Sequence, residues 1–138
     1  LHIGLPKTGS SALQSFLAKN YDLLIRKGIF YPEPQQPSQN FETSSGNAMF
    51  LVSGDQNSIK ENIQNILSNS KGCYNILFSS EFLFLNAMDF FPYLRDYFLG
   101  HKVKVILYIR RQDLWVQSLQ TQYIKYTVET EITPYIDI

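Results

Sequence analysis

"HIGLPKTGSSALQ", residues 2–14, decides how the rest of the chain is read. A short apolar run meets a loop holding one proline and two glycines, and the loop feeds a segment with apolar residues at helical steps. Leu13, Phe16, Leu17, Tyr21 and Leu24 recur every three or four residues between Ser10 and Lys27, and Gly28 supplies the stop. The order is strand, loop, helix. Gly4 and Gly9 frame the loop like the glycines of a G-x-x-x-x-G-K-[ST] phosphate loop, but Ser10 stands where that pattern has its lysine, and Lys7 lies inside the loop. Such a loop wraps backbone N–H groups round an oxyanion, and the helix behind it aims its positive end at the same point. The hydroxyls of Thr8, Ser10 and Ser11 add donors, and Lys7 adds a mobile charge without a metal. A turn whose serines only cap the helix is the plainer alternative. The lysine between the glycines favours an anion.

The same alternation continues along the chain. "GIF" starts as a strand and passes into a Pro, Gln and Ser segment, with residues 33–47 read as an exposed polar loop and an acceptor contact. Ser58 and Glu61 form an S-x-x-E capping box, and Ile59, Ile63, Ile66 and Leu67 line one helical face as far as Gly72. "YNILFSSE" reads as a buried strand, and the aromatic stretch after it as short helices broken near Pro92. "KVKVILYI" is the clearest strand, and Leu114, Trp115, Leu119 and Tyr123 then repeat at helical spacing. Strands alternating with helices predict an α/β fold, a three-layer open parallel sheet covered by helices on both faces. In such sheets ligands gather at the carboxyl ends of the strands. That rule selects Lys7 to Ser11, Ser79 to Glu81, and Arg110.

Length and charge narrow the classes. The 138 residues, 44% hydrophobic, suit one domain spanning 1–138, and the 12 basic and 12 acidic residues offer no overall charge to nucleic acid or an anionic membrane. No apolar run approaches the roughly 20 residues of a membrane span. One cysteine, Cys73, and no N-x-[ST] acceptor point to the cytoplasm. Leu1 already lies in a strand and "TVETEITPYIDI" ends without a finishing element, so the domain is expected to be incomplete at both ends. His2, His101, Cys73 and Trp115 are assigned packing or solvent roles.

"PKTGSSALQ" resembles the 5′-phosphosulfate loop of sulfotransferases that use 3′-phosphoadenosine 5′-phosphosulfate (PAPS), and "HIGLPKTGSSALQSFL" is similar to bacterial and carbohydrate-type members. Ser10 and Ser11 stand where that family commonly has threonines. The second family motif, an arginine ending a strand and a serine eight positions later, is matched by Arg110 and Ser118 in "ILYIRRQDLWVQS". The resemblance implies a P-loop-related fold in which Lys7 contacts the bridging oxygen, Thr8, Gly9, Ser10 and Ser11 bind the 5′-phosphate, and Arg110 and Ser118 bind the 3′-phosphate. Arg111 matches nothing and is read as a surface residue. Glu81, at a strand end, is the candidate general base, with a helix cap as its alternative. The implied reaction moves a sulfuryl group from PAPS to a hydroxyl or amine of a small-molecule or glycan acceptor, with no metal. The family's later segment that closes over the 3′-phosphate has no match in residues 126–138. A kinase-like phosphotransferase and a non-catalytic anion- or glycan-binding module remain the alternatives.

Overall fold

The computed structural model describes residues 1–33, 46–70 and 72–127. The element order is β1 (His2–Gly4), α1 (Ser10–Lys19), α2 (Tyr21–Arg26), β2 (Ile29–Phe30), α3 (Phe50–Ser53), α4 (Gln56–Ser68), β3 (Asn75–Ile76), α5 (Phe82–Leu85), α6 (Ala87–Phe90), a 3-10 turn at Phe91–Tyr93, α7 (Leu94–Tyr97), β4 (Ile106–Tyr108) and α8 (Gln112–Thr127). The fold is mixed α/β. Residues 34–45, most of the polar acceptor loop expected at 33–47, lie outside the described residues, as do 128–138. Among the described residues, no helix is long and apolar enough to cross a membrane.

The strands form a small parallel sheet. β1 pairs with β4, His2 opposite Ile106 and Gly4 opposite Tyr108, while β2 pairs with β3. An isolated parallel bridge from His2 to Ser79 joins the two pairs. There the His2 N–H donates to the Phe78 carbonyl at 2.7 Å, and the Ser80 N–H donates to the His2 carbonyl at 3.2 Å. The strands thus lie in the order β2, β3, β1, β4, with β1 inside. All three strand ends selected from the sequence consequently fall side by side, with the loop after β1 in the middle.

Side chains alternate across a strand, and the two faces of β1 differ accordingly. Leu1 and Ile3 join Phe78 in an apolar core completed by Phe50, Leu51, Ile59, Ile63, Leu83 and Phe90. His2 faces the other way, toward α1, where Gln14 and Leu17 are buried. Burying a Leu, Ile or Phe side chain is worth roughly 1.5–3 kcal/mol, so the first face supplies most of the driving force. The second face carries polar groups.

Four expectations need correction. The helix read through residues 10–27 breaks at Asn20, whose amide donates to the Phe16 carbonyl at 2.8 Å and holds its own backbone outside helical values. Asparagine competes with the helical ladder in this way. Next, α4 begins before Ser58: Asp55 is its cap and accepts from the N–H groups of Asn57 and Ser58 at 2.9 and 3.1 Å. A carboxylate can take both donors, and the Ser58 hydroxyl becomes a third donor to Asp55 instead of the cap. The same helix ends at Ser68, short of Gly72. Lastly, β4 is not covered on both faces. Ile106 and Leu107 are 50% and 51% exposed, because the helices that pack closely on the strands among the described residues, α5 and α2, lie against β1 and β2.

Candidate functional site

The loop after β1 is built by close backbone packing. A Cβ at Gly4 would lie 2.1 Å from Ser10 Oγ, so only glycine lets the buried Ser10 side chain settle over the end of the strand. Thr8 closes the turn by donating both its N–H, at 3.2 Å, and its hydroxyl, at 2.6 Å, to the Leu5 carbonyl. Lys7 has φ 66° and Gly9 φ 92°, both in the left-handed region. For Gly9 this costs little. For Lys7 it is unusual, and such residues gather at sites where the backbone is held for a purpose. Gly9 is the N-cap of α1 and no side chain caps that helix, which sets aside the serine-cap alternative. Ser11 is exposed beside the first turn.

Two side chains from the far end of the sequence hold this loop. Arg110 Nη1 donates to the Lys7 carbonyl at 3.1 Å, and Trp115 Nε1 donates to the Pro6 carbonyl at 2.8 Å. Carbonyls engaged outward in this way are kept from turning into the loop, where they would repel an anion. Arginine has five N–H donors, so one contact leaves the guanidinium able to bind more. Trp115 was expected in the core; its usable signal was its spacing, three residues before Ser118 and hence on the same helical face.

Lys7, Arg110 and Ser118 line one open groove of about 720 Å³, with Leu114, Gln117 and Lys125 of α8 among its other walls. That volume lies in the range of small-molecule and cofactor sites. No acidic side chain among the described residues lines it. Arg111, by contrast, turns to Asp113 in a bidentate pair with both contacts at 2.6 Å. The pairing raises the guanidinium above its usual range and holds the Asp113 carboxyl below its own. Its expected surface role agrees with that placement.

Glu81 does not line the groove. It stands just past the bridge that holds Ser79 and Ser80 beside β1, at the start of α5, and its carboxylate makes no cap hydrogen bond. The Ser80 hydroxyl accepts from the Phe82 N–H at 3.2 Å in its place. Glu81 is the N-cap residue of α5, with its half-buried side chain at the positive end of that helix.

Beneath the loop lies a polar cluster that joins His2, assigned a packing or solvent role from the sequence, to Ser79 of the second strand end. Ser79 Oγ accepts from Gln14 Nε2 at 3.2 Å and sits 2.8 Å from His2 Nδ1, with all three side chains buried. Either Nδ1 or the serine hydroxyl can be the donor in this pair, according to the imidazole tautomer, and the ring is enclosed on this face of β1. Burial accordingly pushes the His2 pKa below its ordinary value. Asn47 fastens the cluster from the side: its amide donates to the carbonyls of Pro32 and Leu77, and its oxygen accepts from the Ser79 N–H at 2.8 Å. Gly46 must be glycine, with φ 81° and the Ser79 carbonyl oxygen 1.9 Å from where a Cβ would stand. These contacts tie α1 to the strand end that leads to Glu81. His101 is exposed, and Cys73 is half-buried with no disulfide.

Comparison with family models, with curated proteins and with solved structures finds no match to this chain.

Proposed function

We propose that the chain is a sulfotransferase domain that binds PAPS across the loop after β1 and the groove along α8. The observation that carries this reading is the meeting of Lys7, Arg110 and Ser118 on one groove, from positions more than 100 residues apart in the case of Lys7 and Arg110. The sequence resemblance had selected the same three side chains. The donor's chemistry suits these residues: the uncapped start of α1 offers N–H groups to a 5′-phosphate, and the groove offers arginine and a hydroxyl to a second phosphate.

In the proposed reaction an acceptor hydroxyl oxygen attacks sulfur in line with the bridging oxygen. The new S–O bond forms as the bond to the 5′-phosphate breaks, and the electron pair leaves on the phosphate of 3′-phosphoadenosine 5′-phosphate (PAP). Lys7 offsets that developing charge, and Glu81 takes the acceptor's proton. The strand order supports this division of labour, because Glu81 follows the neighbour of β1 on one side and Arg110 the neighbour on the other. The acceptor is a hydroxyl-bearing metabolite or glycan.

Titration calorimetry with PAP on the full-length protein tests the reading. A Kd of about 50 μM or tighter is expected, within the span of ordinary cofactor sites. Absence of binding up to about 1 mM rejects it. Transfer from ATP in place of PAPS would point to the kinase alternative.

A further inference from the structure

One cation of the groove has no part in the reaction described above. Lys125 lines the same groove as Lys7, Arg110 and Ser118, from the last turn of α8. Among the described residues it forms no ion pair, the only such pair being Arg111 with Asp113. A lysine at a helix C-terminus is favourable for the helix dipole alone, but the dipole does not require it to face this groove.

The helix sets the distances. Ser118 and Lys125 are seven residues apart, which places them on the same side of α8 and about 10 Å apart along its axis. Helical side chains lean toward the N-terminus, and an extended lysine stem reaches roughly 6 Å. Its ammonium can therefore come within about 4 Å of the level of Ser118. Thr121 and Gln122 line the wall between them with neutral donors, and nothing acidic intervenes.

We infer that Lys125 is a third ligand for the anionic group held by Arg110 and Ser118, a phosphomonoester on the sugar of the bound nucleotide. The inference rests on the donor reading above and adds a binding residue to it. Lys125 contributes charge rather than geometry, since an ammonium is a compact point charge where arginine is a fork.

The test is calorimetry on the full-length protein with PAP and with adenosine 5′-phosphate, which lacks the 3′-phosphate, for the wild type, Lys125→Ala and Lys125→Glu. The wild type should prefer PAP by about tenfold or more. Lys125→Ala should lose roughly three- to tenfold in PAP affinity, as befits an exposed charge, and Lys125→Glu more than about tenfold. Both should bind adenosine 5′-phosphate within about twofold of wild type, which also certifies their folding. Equal losses on the two nucleotides, or wild-type PAP affinity in both variants, overturn the inference and leave the donor reading standing. A wild type with no affinity for PAP overturns both.

Discussion

Lys7 is the one non-glycine residue among those described whose φ lies in the left-handed region. Holding a side-chain-bearing residue there costs about 1–2 kcal/mol, which frames a test of why the lysine is present. Lys7→Gly relieves that strain but adds a comparable entropy cost in the unfolded chain. The urea midpoint should therefore hardly move, whereas sulfuryl transfer should vanish in both Lys7→Gly and Lys7→Ala. Transfer that survives in Lys7→Gly would reduce the lysine to a turn residue. Glu81 gives a second residue-level prediction. With Ser80 already accepting from Phe82, Glu81→Gln should leave PAP binding and folding intact and slow turnover on the order of 100-fold. Undiminished turnover removes it from the mechanism. The sequence singled out both residues by strand-end position, yet the backbone angle of Lys7 and the takeover of capping by Ser80 depend on neighbours no spacing rule names.

At the scale of elements, the connection between the loop and α8 is where function was least visible in advance. Leu114, Trp115 and Leu119 fit a helical apolar pattern, and on that basis Trp115 belongs to a core. Its indole N–H instead reaches the Pro6 carbonyl, 109 residues away in the chain. Trp115→Phe keeps most of the ring and removes that donor. The expected result is a three- to tenfold loss of PAP affinity, with stability lowered by about 1 kcal/mol, the net worth of an ordinary hydrogen bond. Unchanged affinity, read by calorimetry, would show that the loop holds its shape without α8. The helix boundaries tell a related story. Asn20 and Asp55 are polar residues able to break or cap a helix, yet the apolar spacing ran through the first and the capping box passed over the second, because the hydrogen bond each makes is settled by the backbone around it.

For the molecule as a whole, the buried cluster under the sheet sets an expected response to pH. The folded-state pKa of His2 is depressed by burial, so the unfolded chain binds the proton more readily. Its contribution to stability is complete above the unfolded value near 6.5 and falls away as pH drops through that value toward the folded one. The loss cannot exceed about 1.4 kcal/mol per pH unit for one group. Denaturant titrations between pH 7.5 and about 5 should show this slope, and His2→Asn, which offers Ser79 an amide oxygen and does not titrate, should flatten it. An unchanged slope in the variant assigns the effect elsewhere. The sequence by itself determined the alternation of strands and helices, the loop between Gly4 and Gly9, and the cationic and hydroxyl side chains at strand ends, because periodicity and turn chemistry are local. Tertiary structure alone decided that β1 lies between β3 and β4, that Arg110 and Trp115 grip the loop, that His2 is buried with Ser79 and Gln14, and that β4 stays half exposed. Each of these depends on which distant segments pack together, and that is fixed by the burial of the whole apolar surface rather than by any one stretch of chain.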